Sequence, residues 1–145
     1  MQNPRKGGFL ISKIHQLSGR IFARMLKEYG IEDINPAQGR IMFVLWQNDG
    51  IAINDLAKET SLSKSTLTSM LDRLEETGFL RREPSKEDRR KIHIWRTEKD
   101  KSFQKQYVQV SKKMLEIYYQ GFTLKEMGNF ESMLERIFGN LKEVE

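Results

Sequence analysis

The sequence predicts a mainly α-helical chain of six helices, with one two-stranded hairpin between the fourth helix and the fifth. Three observations carry this. Residues 53–77 hold two short amphipathic segments around the turn Thr60-Ser61-Leu62-Ser63. Residues 79–96 follow as two alternating strands about a polar tip. That hairpin is crowded with cations: Arg81, Arg82, Lys86, Arg89, Arg90, Lys91 and Arg96 stand against Glu83, Glu87 and Asp88, a net +4 in a chain whose whole net charge is +5. Two helices around a tight turn followed by a basic hairpin form the layout of a winged helix-turn-helix.

The elements follow in order. Over residues 9–29, Ile14, Leu17, Ile21, Met25 and Leu26 recur at helical spacing, and Gly30 is a stop. A second helix opens at Asn35-Pro36: Asn35 caps, Pro36 suits the first helical position, and Gln38 sits at capping-box spacing. It runs to about Asn48, where Asn48-Asp49-Gly50 breaks it. Ile53, Leu56 and Ala57 anchor a short third helix. Ser63 caps a fourth, 64–77, which Gly78 ends.

Leu67, Met70, Leu71 and Leu74 form one stripe on that fourth helix. At about 100° per residue, Ser65, Ser69 and Asp72 point away from the stripe, with Thr66, Thr68 and Arg73 on its flanks. A small hydroxylated face of this kind can approach DNA closely and donate hydrogen bonds. Residues 79–83 read as a strand, 84–91 as the tip, and 92–96 as the return strand with Ile92 and Ile94 inward. Thr97 caps a long helix over 98–120, whose apolar face is Phe103, Tyr107, Val110, Met114, Ile117 and Tyr118. Thr123 and Glu126 form another capping-box pair, and the last helix carries Phe130, Met133, Leu134, Ile137, Phe138 and Leu141.

Composition excludes several classes. The chain has no cysteine, which removes disulfides, thiolate metal sites and cysteine redox sensing. No apolar run has the length of a membrane span and residues 1–20 lack a signal-peptide pattern, so a cytoplasmic chain without a membrane partner is expected. His15 and His93 are the only histidines, and neither has neighbours at metal-ligand spacing. Nucleophile-elbow, HExxH, P-loop and GxGxxG patterns are absent, so the reading is a non-enzyme with no cofactor and no metal. Charge is uneven: residues 121–145 carry three cations against five carboxylates, a net −2. Positive charge gathered in the hairpin attracts a polyanion. The plainer alternative for any one charge run is a solvated surface.

The stretch SKSTLTSMLDRLEETGFLRREPSKEDRRKIHIWRTEKD resembles the multiple-antibiotic-resistance regulator (MarR) family of bacterial and archaeal transcription factors. It mirrors that family's recognition helix, the glycine ending it, the arginine opening the hairpin, and the Asp-Arg-Arg of the wing. The resemblance covers nearly the whole chain. It implies one domain over 1–145, with a DNA-binding lobe at 35–96 and dimerisation helices at 1–30 and 98–145. It also implies a homodimer in which each wing tip lies in a minor groove.

By position, Ser63, Lys64, Ser65, Thr66, Thr68 and Ser69 would sit at the major groove, and Asp88, Arg89 and Arg90 would form the wing element, with Lys91 beside them. Arg90 resembles the minor-groove arginine, and Asp88 the carboxylate that orients basic groups. There are departures. Many members have arginine where this chain has Ser69, Leu-Thr where it has Arg96-Thr97, and glycine where it has Asp100.

For Arg73 two readings stand: a phosphate contact, or a pair with Asp72, Glu76 or the wing. Arg81 and Arg82 divide similarly, one to a phosphate and one to brace the hairpin. The resemblance also implies a cleft for a small aromatic or anionic effector, bordered by His15, Phe22, Phe43, Trp46 and Tyr107; core and dimer packing is the plainer account of those rings. The dimer surface is expected at Leu10, Ile14, Phe130, Leu134, Ile137, Phe138 and Leu141. The expected function is a sequence-specific, DNA-binding transcriptional regulator, a repressor rather than an activator, on a pseudo-palindromic operator in double-stranded DNA. The competing class is a winged helix that binds protein and has no operator.

Overall fold

In the computed structural model, which describes residues 3–145, eight elements follow one another. They are α1 (Gly7–Glu28), α2 (Pro36–Gln47), α3 (Ile53–Thr60), α4 (Lys64–Glu76), β1 (Leu80–Pro84), β2 (Ile92–Arg96), α5 (Glu98–Tyr118) and α6 (Leu124–Val144). The order is the one the sequence predicts.

Local chemistry explains the boundaries. Asn35 Oδ1 accepts from the Gln38 N–H at 2.8 Å while the Asn35 N–H donates back to Gln38 Oε1 at 3.1 Å, closing the capping box at α2. Gly78 ends α4 at φ +85°, in the left-handed region. The next N–H, of Phe79, then bonds back to the Leu74 carbonyl at 2.9 Å, and Phe79 turns into the core. The strand therefore begins at Leu80 rather than Phe79. It extends through Pro84, which the sequence assigns to the tip: in a two-stranded hairpin a strand end can lack an N–H donor without losing a ladder bond.

The chain divides into two compact units, residues 1–110 and 111–145. The first holds the core: Leu26, Ile41, Met42, Leu45, Leu56, Leu67, Leu71, Leu74, Leu80, Ile94 and Val110 are closed to solvent. The stripe read on α4 is thus its inward face, with Met70 at the margin. β1 and β2 pair antiparallel, Leu80 opposite Arg96 and Arg82 opposite Ile94. The far edge of β2 is also covered, because Ile94 donates to the Ile51 carbonyl and accepts from the Gly50 N–H, both at 2.9 Å.

The second unit contains the end of α5 and all of α6. Tyr119 packs its ring against Phe122 and Phe130, and its hydroxyl donates to Glu131 at 2.6 Å. The capping box of Thr123 and Glu126 opens α6, which has no buried residue. Of the apolar face predicted for the fifth helix, Phe103, Tyr107 and Val110 are buried. Ile117 and Tyr118 are exposed, so the inward face stops short of the helix end.

Candidate nucleic-acid interface

Two elements of the first unit carry the candidate residues, the start of α4 and the hairpin tip. At the start of α4, Ser63 is the cap. Its hydroxyl accepts from the Thr66 N–H at 3.3 Å and donates to Thr66 Oγ1 at 2.9 Å. Ser63 and Thr66 therefore spend hydrogen-bonding capacity on the helix itself. Lys64, Ser65, Thr68 and Ser69 are exposed, as are Asp72 and Arg73. The unpaired N–H groups of the first turn add a positive dipole end to this face.

At the tip, Asp88 and Arg90 form a unit. The Arg90 N–H and its Nε both donate to Asp88 Oδ1 at 3.1 Å, and Nη2 to Oδ2 at 3.3 Å. The side-chain hydrogen bond from Arg90, then the one from its backbone, holds the Asp88 carboxyl below the usual aspartate range. The Arg90 side chain is nonetheless 91% exposed. Asp88 therefore orients the guanidinium without burying it. Lys86, Arg89 and Lys91 are exposed beside it, and the Lys91 N–H closes the tip on the Asp88 carbonyl at 2.9 Å.

The seven hairpin cations are not equivalent. Arg82 turns back onto α4, where Nη2 lies 2.7 Å from Asp72 and 2.8 Å from Glu75. Arg81 pairs with Glu83 on its own strand. Arg96 is drawn inside, against a fully buried Asp100. The brace of the hairpin is thus Arg82, and the outward positive charge gathers at Lys86, Arg89, Arg90 and Lys91. Asp72 engages Arg82, while Arg73 stays exposed on the helix.

The five residues read as an effector cleft separate into two groups. Phe22, Trp46 and Tyr107 meet: the Phe22 and Tyr107 rings stand 5.5 Å apart edge to face, and Trp46 and Tyr107 5.4 Å apart. Phe103 continues the cluster to Phe79. Burial pushes the Tyr107 phenol up to about 12. His15 and Phe43 are exposed and take no part in these ring contacts. His93 Nδ1 lies 2.7 Å from the Gly50 carbonyl, which can only accept, so this histidine nitrogen carries the proton.

The residues expected at a dimer surface are open. Leu10 and Ile14 are exposed on α1, and Leu134, Ile137, Phe138 and Leu141 on α6; Phe130 is half-buried against Tyr119. No helix among the described residues is long and apolar enough to cross a membrane.

Comparison with known proteins bears on this arrangement. The MarR family profile matches residues 34–92, from the residue before the cap of α2 to the first residue of β2. The chain is 25% identical over 104 residues to the uncharacterized HTH-type transcriptional regulator YwhA of Bacillus subtilis, a match covering 72% of this chain and 75% of that one. It is 23% identical over 134 residues to the HTH-type transcriptional repressor IacR of Pseudomonas putida, covering 92% and 78%. With two further curated relatives the matched stretch takes in only 40% and 43% of their length. The crystal structure of a mutant MarR from E. coli complexed with operator DNA superposes with a TM-score of 0.80 at 26% identity, covering 90% of this chain and 91% of that one.

Proposed function

We propose that this protein, a member of the MarR family of winged helix-turn-helix, DNA-binding transcription regulators, is a repressor that binds a pseudo-palindromic operator as a cytoplasmic homodimer. The observation that carries this is the pairing of two exposed surfaces in one lobe. One is the hydroxyl-lined start of α4, and the other is the tip bearing Arg89, Arg90 and Lys91.

The division of labour follows from chemistry. Lys64 and the tip cations neutralise phosphates, which gives affinity that falls with salt. Ser65, Thr68 and Ser69 supply hydrogen bonds to base edges and phosphates in the major groove. Arg90, pre-oriented by Asp88, enters a narrow A·T-rich minor groove and reads its shape. A protein-binding winged helix would have no use for four outward cations at the tip.

Two copies are needed to read a palindrome, one on each half-site. The open apolar residues of α1, and separately those of α6, support that reading, because an exposed apolar helix face usually marks an interface. Repression agrees with the role of IacR, a transcriptional repressor. An aromatic or anionic effector would act at the Phe22–Trp46–Tyr107 cluster, and to regulate it must bind two conformations with different affinity.

The test is binding to a fluorescent duplex across a salt series. The expected result is affinity that falls steeply with salt, and a slope reduced by about one when Arg90 becomes alanine. Salt-independent binding, or an Arg90→Ala chain indistinguishable from wild type, would overturn the wing assignment.

A further inference from the structure

Asp100 stands on the first turn of α5, and its side chain is 0% exposed. Its charge is answered from two sides. The Trp46 indole N–H, at the end of α2, donates to Oδ1 at 2.7 Å, and Arg96 Nε donates to Oδ2 at 2.6 Å. The second arm of the same guanidinium, Nη2, donates to Gln104 Oε1 at 2.6 Å. The Arg96 backbone N–H donates to Asp49 Oδ1 at 2.8 Å, which brings in the α2–α3 loop. One buried carboxylate on the first turn of α5 thus ties α2 to the last residue of β2, and its partner arginine adds the second turn of α5 and the loop.

An ion pair in this position is a poor device for stability. Removing both charges from water costs much of what their attraction returns. What it does supply is geometry: a planar fork held by two acceptors admits one arrangement. The place it holds is the root of the wing. Arg96 ends the strand that leaves the tip at Ile92, with Leu80 across the ladder. Five strand residues make a lever of about 16 Å. A tilt of about 10° at the root then carries the tip by roughly 3 Å. That displacement is as large as a hydrogen-bond length, enough to withdraw a guanidinium from a groove.

We propose that Asp100 is a positioning residue for DNA binding: held by Trp46 on one oxygen, it pins Arg96 with the other, and so fixes the root of the wing and with it the station of Arg89, Arg90 and Lys91. This rests on the reading of the tip as a DNA contact. Asp100 touches no DNA itself. Its loss acts through Arg96, whose side chain is left mostly inside with its charge unanswered and must find another position.

The experiment is a double-mutant cycle on the full chain, read as affinity for a short fluorescent A·T-rich duplex. Arg90→Ala is expected to weaken the wild-type chain roughly tenfold. In an Asp100→Asn chain the same change is expected to cost less than about twofold, because the tip no longer stands at the groove. Ser69→Ala serves as the control, with one penalty in both backgrounds. A purely structural role would lower the melting temperature and leave the Arg90 penalty at its wild-type size, and that result overturns the proposal. If circular dichroism shows the Asp100→Asn chain unfolded, Arg96→Lys takes its place. Lysine keeps the charge but cannot span Asp100 and Gln104 with a fork, and the same two outcomes apply. No Arg90→Ala penalty in the wild-type chain would remove the wing reading and this proposal with it.

Discussion

Arg82 holds Glu75 by three donors: its backbone N–H and its Nε each lie 2.9 Å from a carboxylate oxygen, and Nη2 lies at 2.8 Å. Nη2 also reaches Asp72 at 2.7 Å. α4, the helix proposed to enter the major groove, and the first strand of the hairpin are therefore joined by one side chain. Asp72 lies on the same outward side of α4 as Ser65 and Ser69, so Arg82 also answers a carboxylate that would otherwise repel phosphate.

Arg82→Met should destabilise the protein by about 1 kcal/mol near neutral pH. Glu75 is about a third exposed, so screening keeps the figure low. The backbone hydrogen bond from Arg82, then its side-chain bonds, hold the Glu75 carboxyl below its ordinary 4.5. A lowered folded-state value means the contribution is present above the ordinary value and fades as pH falls through the folded one. Urea unfolding of both proteins at neutral pH and in acid checks this; a gap of constant size across that range contradicts it.

Gly39→Ala should destabilise by about 1–3 kcal/mol through overpacking, despite the better helix propensity of alanine. Gly39 is buried in α2, and a methyl group there would strike the Tyr107 hydroxyl oxygen, with Cζ at 2.6 Å and Cε2 at 3.0 Å. Adding Tyr107→Phe should restore only part of the loss, since the ring carbons remain. Full recovery in the double variant would place the conflict at the hydroxyl alone.

Tyr107 also sets an alkaline limb. Burial raises its phenol from the ordinary 10 to about 12. The folded chain thus prefers the protonated phenol, and its contribution is complete below 10 and lost as pH rises from there towards 12. Stability of the Tyr107→Phe protein should fall less steeply over that window than that of wild type. Parallel curves would mean that the phenol is as open to solvent in the folded chain as in the unfolded one.

Ser63 and Ser69 should separate stability from recognition. Ser63→Ala removes a cap and should cost about 1 kcal/mol of stability, with little change in which duplexes are preferred. Ser69→Ala should do the reverse. Thermal melts and competition between duplexes of different sequence read the two effects. A shift of preference at Ser63 with none at Ser69 would mean that the face of α4 has been misassigned.

Much of this molecule is legible in the chain because the signals are local. Asn35 with Gln38, and Thr123 with Glu126, each sit three residues apart and form the capping boxes that the spacing predicts. Gly30 and Gly78 adopt positive φ just past their helices, as helix stops of this kind require. The α4 stripe faces inward for the same reason, since helical periodicity is a property of the segment itself.

What escaped depends on partners far along the chain. Asp100 reads as an ordinary helix-start carboxylate, and its burial follows from Trp46, 54 residues away. Strand alternation places Arg81 and Arg82 on opposite faces, but only the carboxylates of α4 decide which of them braces the hairpin. The pairing of Ile51 with Ile94 carries no local pattern either. Two of the three departures from the family pattern, Arg96 and Asp100, look independent in the sequence; in the fold they are one ion pair.

Selection of bound duplexes from a random pool tests the central claim most directly. If two copies each set an α4 helix in a major groove and a wing in the flanking minor groove, the recovered sequences should be inverted repeats. Their half-site centres should lie about 10–11 base pairs apart, with A·T-rich flanks under the wings. Recovery of single half-sites without a repeat, or of no preferred sequence at all, would contradict it.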